Sequence, residues 1–250
     1  MRVYHLEVLE GYEWVLPTRK ADYETLSFDG TPRASTWKPV TVKLLRAAED
    51  GTKFSQSDMP WLGTHAPVLR TRAVAALKEF LSVYGELLPL ACADGDLQVF
   101  NATSIVAALD AYRSEVVTFS SGGVMTIKEY AFKPSTLRGV GVFKLPEIPR
   151  GPVFFTEEFV MLVQRRGLIG VGFKLVWDSS RRRLPDPSGD RVRLHASSAR
   201  ERRPSRCYEA NRRRCDDRRG GSRRAEVDRQ TRRKRLRHRA ASRSRGSGTS

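Results

Sequence analysis

Few side chains in residues 1–178 are of types that do acid–base or metal chemistry. Only two histidines fall there, His5 and His65. A histidine titrates near neutral pH and ligates metals, but either role needs a partner at a fixed spacing. His5 stands inside an alternating run, and His65 lies in a loop between Gly63 and Pro67. Neither has a cysteine or glutamate at metal-ligand spacing, and no Gly-x-Ser-x-Gly elbow is present. Cys92 closes an apolar stretch, the setting of a buried, inert thiol. Cys207 and Cys215 lack paired His or Cys at zinc spacing. Gly139-Val140-Gly141 is too short for a dinucleotide fingerprint and runs into Val142-Phe143-Lys144 instead of a helix, so no phosphate cradle is expected. Glu49, Asp50 and Asp58 sit in a polar loop, where acids commonly serve only as solvating groups. The sequence therefore predicts no catalytic constellation, no cofactor and no metal.

Binding chemistry is better represented. Trp37 precedes Lys38-Pro39 and Trp61 follows Pro60, loop settings in which Trp either anchors a partner or packs under its own loop. The second role is the expectation here. Between residues 3 and 29, Glu7, Glu10, Glu13, Asp22, Glu24 and Asp29 face only Arg19 and Lys20. Such an acidic stretch would steer a basic partner. With its aromatics it defines a candidate protein-binding surface of Glu10, Tyr12, Glu13, Trp14, Tyr23 and Glu24. The alternative is a solvated face that keeps the domain soluble.

The elements that must position these groups occupy only part of the chain. Residues 1–178 hold 20 Lys+Arg and 20 Asp+Glu, a net charge of 0, whereas residues 179–250 carry the whole +17. All four Trp and all 11 Phe lie in the first part. The last segment has no Phe, Trp, Ile or Met, too little apolar surface to offset the entropy of ordering a backbone. The expectation is a globular domain over 1–178 and a disordered, Arg-rich tail over 179–250. The tail could attract nucleic acid and other polyanions by plain charge. Its cations are Arg apart from Lys234, and Arg, Ala, Gly, Pro and Ser, with GC-rich codons, dominate it. That composition also fits a frameshifted or misextended gene end. A single cysteine in the body, no secretory apolar stretch at the N-terminus and no apolar run near ~18–20 residues predict a reducing, cytoplasmic setting without a membrane span.

Within the domain, alternation predicts strands over 2–8, 40–45, 86–92, 97–101, 116–119, 124–127, 130–132, 139–143 and 171–177. Pro89 would put its strand at a sheet edge or on a bulge. Apolar spacing of three and four predicts helices over 71–84 and 156–166, with Thr71 and Thr156 as N-caps. Residues 105–109 read as one or two helical turns, and 47–65 as an irregular surface loop. Many short strands with two main helices, not alternating as βαβ, predict an α+β fold with a mostly antiparallel sheet.

Six segments together resemble one family: Phe28-Asp29-Gly30-Thr31-Pro32 with Trp37-Lys38-Pro39; Tyr84-Gly85-Glu86-Leu87-Leu88-Pro89-Leu90; Arg113-Ser114-Glu115-Val116-Val117; Tyr130-Ala131-Phe132-Lys133-Pro134; Phe143-Lys144-Leu145-Pro146-Glu147; and Gly172-Phe173-Lys174-Leu175-Val176-Trp177. The chain resembles, over about residues 1–178, a bacterial immunity-protein family of polymorphic-toxin systems, of the myxobacterial type. The resemblance implies a cytoplasmic protein that binds and occludes one cognate toxin and catalyses nothing. Under it, Phe28, Gly30, Pro32, Trp37, Pro146 and Trp177 are framework residues. Association with nucleic acid through the tail is the alternative function, and an enzyme is the third.

Overall fold

A computed structural model describes residues 1–180. Adjacent apolar residues in short strands set the architecture, because they send side chains to both faces of a sheet. The outer chain segments meet in a four-stranded antiparallel sheet ordered β11–β1–β10–β9, made of β1 (Arg2–Glu7), β9 (Val142–Phe143), β10 (Phe154–Thr156) and β11 (Gly172–Asp178). The first strand thus lies between the last two, and the Met1 amino group reaches Ser179 Oγ at 2.8 Å. Phe154 and Phe155 are both buried, on opposite faces. One face joins Val3, Phe143, Phe154 and Trp177 in one core; the other turns Leu6, Val142, Phe155 and Phe173 into a second.

A five-stranded sheet, ordered β2–β3–β5–β6–β4, is built from β2 (Trp14–Pro17), β3 (Val40–Leu45), β4 (Val68–Arg70), β5 (Gly85–Cys92) and β6 (Leu97–Ala102). Its pairings are antiparallel except β3–β5. Val68 and Leu69 again divide between cores. Helices α2 (Thr71–Leu81) and α3 (Glu157–Arg165) share the core that both sheets also line, through Ala73, Leu77 and Leu81 on one and Phe159 and Val163 on the other. Phe80 and Phe159, with ring centroids 5.6 Å apart, join the helices. A separate hairpin, β7 (Glu115–Thr118) with β8 (Val124–Glu129), completes the fold. The class is α+β with mostly antiparallel strands.

Several expectations change in detail. A short helix, α1 (Lys20–Thr25), is a third helix that its sparse apolar content hid; β2, β4 and β10 were also not foreseen. Thr71 is the first helical residue and Arg70 the N-cap; Thr156 is an N-cap, but its hydroxyl donates to Gly141 O at 3.4 Å and not to the helix. Residues 105–109 are irregular, not helical: Val106 N–H donates to Lys144 O, Lys144 N–H to Ser104 O, and Ala108 N–H to Val106 O in a tight turn. Pro89 lies in an interior strand. The β3 ladder begins one residue later, at Leu90, and the Trp37 indole N–H donates to Pro89 O at 2.8 Å. Pro is accommodated because no ladder partner awaits its missing N–H on that side. From residue 181 the expected tail lies outside the described residues. Among the described residues no helix is long and apolar enough to cross a membrane.

Candidate functional site

The predicted acidic surface divides in two. Glu10 is exposed and Tyr12 half-buried in the turn before β2, whereas Tyr23 and Glu24 are exposed on α1 after it. A four-residue strand, about 13 Å long, separates the groups. Glu24 Oε1 accepts from Arg150 Nη1 at 2.6 Å. Trp14 is half-buried within β2 and bridges to Trp61.

Glu13 is not on this surface. It is 2% exposed. Its Oε1 accepts from Arg70 Nε at 2.9 Å and from the Ser57 N–H at 3.0 Å, and Arg46 Nε lies 3.7 Å from Oε2. A carboxylate buried this far needs an ion-pair partner, and Arg70 supplies it from the end of β4. Asp58, expected on a surface loop, is also buried, accepting from Arg72 Nη1 and from Ile169 N–H, both at 2.8 Å. Ser57 Oγ donates to Gly170 O at 2.8 Å. These bonds pin residues 55–59 between β4 and the loop after α3. Asp22 is likewise buried, held bidentately by Arg19. Of the six candidate residues, Glu10, Tyr23 and Glu24 therefore remain exposed.

A second polar cluster anchors the loop after α1. Lys144, within the apolar run Val142–Leu145, is fully buried, and its Nζ donates to Phe28 O at 2.7 Å. Burial holds its ammonium pKa down at about 8; Asp29 opposes the shift and Arg33 adds to it. Asp29 accepts from the Thr31 hydroxyl at 2.6 Å, which holds its carboxyl down at about 2. Glu86 accepts from the backbone N–H of Arg33 at 2.7 Å and of Ala34 at 3.2 Å. Asn101 Nδ2 donates to Thr31 O at 2.9 Å. Gly30, at φ +92°, passes so close to Ile105 that a Cβ would lie 2.4 Å from its Cδ1.

His5 Nδ1 donates to Leu6 O at 2.6 Å, which fixes the proton on that nitrogen because a carbonyl oxygen only accepts. Burial, and then the nearby charge of Lys144, lower the His65 pKa. Cys92 is half-buried against the core of the five-stranded sheet. Trp37 and Trp61 both close their own loops, Trp37 with its ring 5.8 Å from Phe28 and Trp61 through backbone bonds with Glu13 and Val15. Among the described residues no group of three His, Cys, Asp or Glu could hold a metal ion. Sequence reasoning passed over Arg70, Arg72, Asn101 and Lys144. Only Lys144 had a local signal, a lone cation in an apolar run.

With this geometry in hand, comparison with known proteins adds no relative: no family model matches the chain, and no curated protein is significantly similar to it.

Proposed function

We propose that the protein is an immunity protein: it binds one cognate bacterial toxin in the cytoplasm and occludes the toxin's active surface, with no catalysis of its own. The observation that carries this reading is that the six motif segments of the resemblance form one connected framework. Lys144 holds Phe28 O, Trp37 holds Pro89 O, and Glu86 holds the Arg33 amide. Ser114 Oγ accepts from Ala131 N–H at 2.9 Å, and the Phe132 ring meets Phe143 at 5.6 Å and Trp177 at 5.8 Å. Segments that share one frame carry the resemblance further than scattered matches would. Toxin contacts then belong to exposed positions outside the frame, and Glu10, Tyr23 and Glu24 are the acidic and aromatic candidates. Acidic groups suit a nuclease toxin, whose substrate face is basic.

The test is co-expression with the toxin encoded by the neighbouring gene. Survival of the host and a stable purified complex are expected. A host killed despite abundant folded protein, or the lack of any toxin gene nearby, would overturn the reading. One observation favours a second reading: the +17 charge of residues 179–250 suits a nucleic-acid-associated protein.

A further inference from the structure

β8 pairs with β7 alone, and among the described residues no backbone hydrogen bond joins Val124–Lys128 to any other element. A groove of about 580 Å³ runs beside it. Val124, Met125, Thr126 and Ile127 all line this groove, and no β7 residue does. Side chains alternate between the two faces of a strand, so a cavity over one face would touch every second residue. Four consecutive lining residues mean that the groove follows the strand's open edge, where backbone N–H and C=O groups stand unanswered.

The opposite wall, Pro149 to Pro152, makes no backbone hydrogen bond to β8 among the described residues. Pro149 and Pro152 have no N–H, and the Gly151 N–H already donates to Ile148 O at 2.7 Å. The gap therefore stays open to another chain. Its volume falls in the ~300–1,000 Å³ range of binding sites. Its charge selects the occupant. Arg150 is neutralised by Glu24, and Asp29 lies 3.6 Å from Arg33, while Glu147 is exposed and forms no ion pair among the described residues. The uncompensated charge at this edge is thus negative.

We propose that the open edge of β8 is a strand-addition site for an extended segment of a protein partner that carries lysine or arginine. Main-chain bonds to β8 supply the affinity, the side chain of Met125 gives apolar contact, and Glu147 selects the cation. The site stands independently of the immunity reading, since a toxin could be bound through α1 with this edge empty.

The probe is the fluorescent peptide Thr-Lys-Val-Thr-Val-Lys-Thr, titrated into the full-length protein at near-physiological salt and followed by anisotropy. The control replaces the central Val-Thr-Val with three prolines, keeping the charge and removing the strand. The strand peptide should bind saturably and the proline peptide should not. Glu147→Lys and Thr126→Lys, both at exposed positions, should each weaken binding about tenfold or more with an unchanged melting temperature. Should Thr126→Lys misfold, Glu147→Lys and the peptide pair still decide. No saturable binding, equal binding of both peptides, or affinity untouched by Glu147→Lys would overturn the proposal.

Discussion

Lys144 Nζ donates to the carbonyl oxygen of Phe28 at 2.7 Å, across 116 residues of sequence. The bond ties the loop after α1 to the residue that directly follows β9. It also buries a cation against a neutral backbone oxygen, an arrangement that favours the neutral amine.

Lys144 should therefore make stability rise with pH on the alkaline side. Its pKa is about 8 in the fold against an ordinary 10.5. Below pH 8 both states hold the proton and the folded state bears the full desolvation penalty. Between pH 8 and 10.5 the unfolded state binds more protons, so stability increases, by about 3 kcal/mol over the window. Urea unfolding across that range should show the rise in the native protein and lose it in Lys144→Met. Parallel pH profiles for the two proteins would contradict the assignment.

Arg70→Ala strands the Glu13 carboxylate, which is 2% exposed. Loss of one partner of a buried pair should cost about 3–5 kcal/mol, whereas Glu13→Gln, which keeps hydrogen bonds and removes the charge, should cost less. Chemical denaturation midpoints measure both. A cost under 1 kcal/mol for Arg70→Ala, well below that of an uncompensated buried charge, would mean that Arg46 alone suffices.

Gly85 opens β5 opposite Ala102, and a Cβ there would lie 2.2 Å from Asn101 O, a backbone atom that cannot swing aside. Gly85→Ala should lower the melting temperature sharply. Gly123→Ala, whose nearest contact is Phe119 at 4.0 Å, should leave it within a few degrees, read by the same thermal scan.

Reversal of the exposed acids, Glu10→Lys with Glu24→Lys, should slow toxin association and make its rate less sensitive to salt, with unchanged stability. Stopped-flow kinetics reads this directly. An unchanged on-rate would remove this surface from the interface.

Removal of residues 181–250 should leave the melting temperature unchanged and abolish salt-dependent DNA binding, because the remaining body is close to neutral. A mobility-shift series in salt, with and without the segment, checks both halves.

The class of the fold and both main helices were legible because periodicity is local: Ala73, Leu77 and Leu81 recur at fixed spacing, and all three are buried. The hairpins at 86–101 and 116–127 were legible through their turns, Gly95 and Gly122, both at positive φ. What failed was non-local. Glu13 looked like one of several surface acids because its partner, Arg70, lies 57 residues away. Pro89 pointed to an edge because the acceptor role of its own carbonyl, filled by Trp37, has no local signature. Residues 105–109 read as helical from apolar content, yet the Lys144 backbone draws Val106 away from a helix. Of the candidate surface, residue types were readable and burial was not, since burial depends on which distant arginine arrives.

The position of β1 between β10 and β11 has a kinetic consequence during synthesis. The first strand emerges early, but both of its partners lie beyond Val153. At about 5–20 residues per second, β1 waits roughly 10–30 s on the ribosome with both edges open. Val3 and Leu6 are then unshielded, and only Arg2 and Glu7 at the strand's ends discourage pairing with another nascent chain. The same closure brings residues 1 and 179 together, as the Met1–Ser179 contact records. A circular permutant that joins them and opens at the Ser120–Gly123 turn would make β1 emerge directly after β10 and β11, with both partners already waiting for it.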